Sequence, residues 1–181
     1  MKHSRKLRIG ILAIAAFMAI GMATPLIVKA QEDIAKSPFC PLCGMDREKF
    51  AHSRTYLPYE DGTSFGGCSI HCAAVELALN IDKTPIKIQV ADYQDKTLID
   101  AENATWVLGG DLPGVMTRRA KWAFATKDNA QQFIRNHGGT LATFDQIMKA
   151  TYEDMYADTK MIREKRKKMR MMKQKKTVSD Q

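Results

Sequence analysis

The chain has 181 residues, 45% of them hydrophobic and 27% charged, which excludes a wholly disordered chain and a polytopic membrane protein. Its formal charge of +8 is unevenly spread: residues 1–30 carry +5, residues 31–159 carry −5 and residues 160–176 carry +9. A folded nucleic-acid-binding domain carries its positive charge on the domain itself, so the acidic middle argues against a nucleic-acid partner.

The first eight residues are strongly basic, and residues 9–28 are apolar without a charge. This pattern is an export signal. The run is long enough to span a bilayer, which needs ~20 apolar residues. Pro25 interrupts its end, and Val28-Lys29-Ala30 offers small residues where a signal peptidase reads. Cleavage after Ala30 is the favoured reading, and a retained anchor at residues 9–28 is the alternative. Either way the rest is expected outside the cytoplasm, in the periplasm, with the basic flank inside. No Cys closes the apolar run, so no lipoprotein cleavage site is present.

Residues 31–38 are polar and end in Pro38, and read as a linker. Beyond them the pattern predicts strands at residues 54–59 and 63–67, a helix over 69–80 and an alternating strand at 86–90. The second half repeats the order, with strands at 104–108 and 121–126, a helix over 128–136 closed by His137-Gly138-Gly139, and a strand at 140–144. The fold class expected is α+β. It comprises two related small lobes, about 39–92 and 103–150, each strand–strand–helix–strand, with an N-terminal signal or anchor helix and a C-terminal basic helix. From residue 145 to about 173 there is no Pro or Gly to break a helix. That tail, residues 151–181, is basic and Met-rich. It reads as a solvated helix, or as one that meets anionic lipid or an acidic partner.

The chemical signal lies in residues 40–72. Cys40-Pro41-Leu42-Cys43-Gly44-Met45 holds two thiols and a thioether, and Cys68-Ser69-Ile70-His71-Cys72 holds two thiols and an imidazole. Thiolate and thioether select Cu(I), and thiolate with imidazole also suits Zn(II). Three readings follow. Structural disulfides are one, because the chain is exported. A four-thiolate zinc site of Cys40, Cys43, Cys68 and Cys72 is the second, with 24 residues between its two knuckles, as in a treble clef. The third is a Cu(I) site on Cys43 and Met45, with Gly44 letting both side chains face one ion. Zinc has little use for a thioether, so Met45 favours copper. A thiol oxidoreductase would need a low-pKa Cys at a helix N-terminus, and Gly44 follows Cys43 instead. Hydrolase and phosphate-loop motifs are missing from the sequence, so no enzymatic activity is expected.

The ordered series Cys-Pro-Leu-Cys-Gly-Met (40–45), Glu60-Asp61-Gly62, Trp106-Val107-Leu108-Gly109-Gly110, Pro113-Gly114-Val115-Met116-Thr117, Ala123-Phe124-Ala125 and Gly138-Gly139 resembles the NosL family of nitrous-oxide reductase accessory proteins. The resemblance covers residues 40–148. It implies a periplasmic Cu(I) chaperone, usually lipid-anchored, that serves nitrous-oxide reductase or another cuproenzyme beside a membrane ABC-type transporter complex. It also implies a fold of two related lobes. The family's Cys-x-Met pair falls on Cys43 and Met45, and Met116 takes the position of its second-lobe Met, a third soft ligand. The lipidated Cys of the family has no counterpart here. The Cys68–Cys72 segment also resembles the knuckles of TRASH and YHS-type domains. With it, His71 joins the candidate ligands, and Zn(II) stays beside Cu(I) as a candidate ion, held in a zinc-stabilised exported interaction module.

Overall fold

The computed structural model describes residues 32–179, which lie within one compact unit. The expected export segment and the expected cleavage after Ala30 fall outside these residues. Among the described residues no helix is long and apolar enough to cross a membrane.

The chain begins with a short helix, α1 (Glu32–Lys36). This corrects the reading of residues 31–38 as a linker. The reason is electrostatic: Asp33 is buried and accepts from Arg47 Nη2 at 2.6 Å and from Arg54 Nε at 2.9 Å. Both guanidinium groups are themselves buried, and Arg47 also donates to the carbonyls of Asp33, Ser37, Thr55 and Gly67. Gly66 makes room for this group, because a Cβ there would stand 2.7 Å from Arg47 Nη1.

A four-stranded antiparallel sheet follows, ordered β2-β1-β3-β4. Its strands are β1 (Thr55–Pro58), β2 (Ser64–Gly67), β3 (Gln89–Ala91) and β4 (Leu98–Asp100). In β1 Thr55 and Leu57 are buried and Tyr56 and Pro58 half-buried, the alternation expected of a one-sided strand. Helix α2 (Ile70–Leu79) lies between β2 and β3 in the chain and buries the face led by Ile70, Ala73 and Ala74. The second sheet is also antiparallel, ordered β6-β5-β7, from β5 (Thr105–Leu108), β6 (Lys121–Phe124) and β7 (Thr140–Ala142). Helix α3 (Lys127–His137) joins β6 to β7, capped by the Thr126 hydroxyl, which accepts from Asn129 N at 3.3 Å. Both lobes therefore follow the expected order, with β4 as an additional strand in the first.

Asp92 joins the two sheets. It is buried, its Oδ2 accepts from Ala125 N at 2.6 Å, and the next amide, Tyr93 N, donates to Ala123 O at 2.8 Å. Around this seam Tyr93, Trp122, Phe124 and Phe133 stack edge-on or tilted, with ring centroids 5.0–6.3 Å apart.

Helix α4 (Phe144–Ser179) is a single run of 36 residues. Its first half is docked: Ile147 is fully buried and Tyr152 Oη donates to Ala74 O at 3.1 Å. Asp154 accepts from Arg119 and from Lys121 Nζ, all at 2.9 Å. Partial burial raises the Asp154 carboxyl, but the hydrogen bonds from Arg119 and Lys121 outweigh it and hold it below its ordinary value. A depressed folded pKa contributes stability above the unfolded value and loses it as pH falls through the folded one. Asp154→Asn is therefore expected to flatten the acid side of the stability profile below about pH 4. Thermal melts taken stepwise from pH 5 to pH 2, both approximate limits, check this. An unchanged acid limb would assign that loss of stability to other carboxylates.

Candidate metal centre

The site grows from two local structures. The first is a tight knuckle: Cys40 N donates to Met45 O at 2.9 Å, and Gly44 N donates to Cys40 O at 2.7 Å. Gly44 has φ +73°, with nothing within 4 Å of where a Cβ would stand, so the demand for glycine there is purely conformational. The second is the entry to α2, where Cys68 stands just before the extended N-cap Ser69 and Cys72 lies in the first turn.

The two structures meet. The Sγ atoms of Cys40, Cys43, Cys68 and Cys72 lie within 4.8 Å of one another. Cys43–Cys68 is 3.4 Å, Cys68–Cys72 3.7 Å and Cys72–Cys43 3.8 Å, and all four are free thiols. A tetrahedron of sulfurs on ~2.3 Å bonds to a central ion has edges of ~3.8 Å, so the spacing fits one ion held by four thiolates. Charge leads to the same conclusion. Hydrogen bonds from Cys43, then Cys68 and Cys72, push the Cys40 thiol far below its ordinary value. With that charge in place, Cys68 and Cys72 are pushed well above theirs, through their hydrogen bonds to Cys40 and Cys43 and their burial. The Cys43 thiol is lowered too, so two of the four thiols are pushed down and two up, and four thiolates together need a cation among them.

His71 is not in this cluster. It follows Ser69 and Ile70 into the first turn and precedes Cys72 by one residue, about 100° around the helix. It is buried, with Nδ1 3.7 Å from Asp158 Oδ2 on α4, and neither atom has a hydrogen-bond partner. Burial pushes its pKa below the ordinary imidazole value. The candidate ligand His71 thus lies outside the four-thiol group and faces Asp158 on α4.

Cys40, Cys68 and Cys72 are buried, whereas Cys43 is half-exposed. Cys43 also lines a cavity of about 360 Å³ with Met45 and Met116, the two thioethers expected from the sequence. Met116 has φ +62°, a left-handed backbone that is costly for a side chain without a local polar compensation. Its loop is held from behind, because Arg118 N donates to the buried carboxylate of Asp158 at 3.0 Å. The opposite wall belongs to α4, which contributes Met161 and Met169. Arg166 Nη2 reaches across and donates to Cys43 O at 2.7 Å. Sequence reasoning placed α4 but not its role at the site. The one signal was the eight-residue interval between Met161 and Met169, which puts both on one helix face.

Comparison with known proteins fits this geometry. A solved copper chaperone NosL from Shewanella denitrificans is similar at a TM-score of 0.51 and 26% identity, covering 60% of this chain and 88% of that one. The HTH-type transcriptional repressor CutR of Bacillus subtilis (strain 168) is 31% identical over 93 residues, 51% of this chain and 46% of its own. The chain thus spans about half the length of that curated relative. The family model named NosL matches residues 31–152, two thirds of the sequence and both sheets. The chain belongs to the NosL family, whose members bind metal and are not enzymes.

Proposed function

We propose that this protein is a Cu(I)-binding chaperone whose cargo seat is Cys43, Met45 and Met116. The observation that carries the reading is the position of Cys43. Its sulfur belongs to the buried thiol cluster and also lines an open, thioether-walled cavity. A d¹⁰ monovalent ion takes thiolate and thioether together and tolerates low coordination numbers, so an ion at this boundary is both held and accessible to an incoming ligand. The strained backbone at Met116 supports the same reading, since such strain is kept where a side chain must face a ligand. In this reading the chain works outside the cytoplasm, at the periplasmic face of the inner membrane. It hands copper to a cuproenzyme under assembly, nitrous-oxide reductase in the first instance, beside an ABC-type transporter complex.

The test is competition for Cu(I) between the full chain and a chromophoric chelator. Met45→Leu with Met116→Leu keeps side-chain volume and removes both thioethers. The double variant is expected to lose about tenfold to a hundredfold in affinity. Affinity in the native chain should rise with pH, because the thiol must lose its proton to bind. Affinity indifferent to both substitutions would overturn the seat.

The sulfur–sulfur distances favour a second reading, in which a resident Zn(II) holds the four cysteines and stabilises the fold. There zinc removal melts the domain, and the Met45 and Met116 substitutions are silent.

A further inference from the structure

The tail beyond residue 152 lies outside the matched family region, yet it forms one wall of the proposed seat. We propose that the C-terminal helix donates thioether ligands to Cu(I), with Met161 and Met169 as two alternative stations facing Cys43, Met45 and Met116. This rests on the copper reading above and extends it to residues that nothing else assigns.

Three observations converge. Met161 and Met169 line the same cavity as the three expected donors. The intervening turn is fastened to the cysteine knuckle, because Arg166 donates to the carbonyl of Cys43 itself at 2.7 Å. The helix is also fixed upstream, where Asp158 holds the backbone of the loop that carries Met116. Both walls of the cavity are therefore tied to one rigid element. Eight residues of helix rise about 12 Å, farther than two methionine side chains comfortably close on one ion. The ion meets one thioether of the pair at a time, so the pair gives it two positions along the helix.

The design predicts redundancy. In the full chain, Met161→Leu or Met169→Leu alone is expected to change Cu(I) affinity little, about twofold. The double variant is expected to lose about tenfold and to release copper faster to a chelator. Leucine preserves the packing volume, so the loss reads the sulfur and not the fold. A second readout is the ¹³C methyl resonances of methionine during titration with Ag(I), a diamagnetic d¹⁰ surrogate. Met161 and Met169 should shift together with Met45 and Met116, while Met171, which does not line the cavity, stays in place. Wild-type affinity in the double variant, with unmoved tail resonances, would overturn the proposal while leaving the seat on Cys43 intact. A chain that binds no Cu(I) before any substitution would overturn the copper reading itself.

Discussion

Asp33→Ala is expected to cost about 3–5 kcal/mol, the range for breaking a buried ion pair by removing one partner. Asp33 is one carboxylate set between two guanidinium groups, all buried. Taking it away leaves two like charges facing each other in a poorly solvated interior. Part of what remains is satisfied by carbonyls, since Arg47 donates to four of them and Arg54 to those of Ala51 and Lys96. Carbonyls carry no net charge, so they do not restore neutrality. Domains are typically stable by ~5–15 kcal/mol, so this substitution takes a large share. Urea unfolding at neutral pH measures it. A loss below about 1 kcal/mol would mean that water reaches the triad and screens it.

Cys43→Ser is expected to have the largest effect on metal binding of any single substitution. It removes a donor from the four-thiol cluster and from the cavity at once, with a cost to Cu(I) affinity of about a hundredfold or more. The informative comparison is Cys40→Ser, which alters only the buried cluster, because Cys40 lies outside the cavity lining. Under the copper reading, Cu(I) affinity falls much further for Cys43 than for Cys40. Under the zinc reading the two variants lose zinc and melting temperature alike. Parallel metal titrations and thermal melts separate the two patterns, and equal loss of Cu(I) in both variants would argue against a seat at the boundary.

Much of the architecture is legible before any coordinates. Helix α2 is marked by apolar residues at helical spacing and α3 by Asp128 near its start and glycines at its end, although the cap itself is Thr126 and not Asp128. These signals are local, so one sequence carries them. Strand β4 is harder to see, being three residues long between acidic turns, with pairing to β3 as its main support. Asp33 is harder still. Its partners lie 14 and 21 residues away, and an acid in a polar segment reads as solvated until they are placed beside it.

The cysteines were readable because their donors cluster along the chain. Which face His71 takes was not, since proximity in sequence does not distinguish an i, i+4 pair from a residue 100° around the helix. Met161 and Met169 are embedded among lysines and arginines, and that composition suggests solvent. It takes the fastening of Arg166 to Cys43 O to show that this stretch lies against the body.

Helix α4 has a further consequence for how neighbours sense the molecule. Its 36 residues make a rod of about 54 Å, several times the ~8 Å Debye length at physiological ionic strength. The helix lies against the acidic body as far as Arg166, which donates to Cys43 O, and its cationic end beyond Met169, about 15 Å of helix, extends roughly two Debye lengths further as a separate pole. The overall isoelectric point of 9.4 describes neither. An anionic surface attracts one end and repels the other, producing torque as well as attraction. The protein should therefore arrive oriented, rod first, with added salt abolishing the alignment before it abolishes the fold.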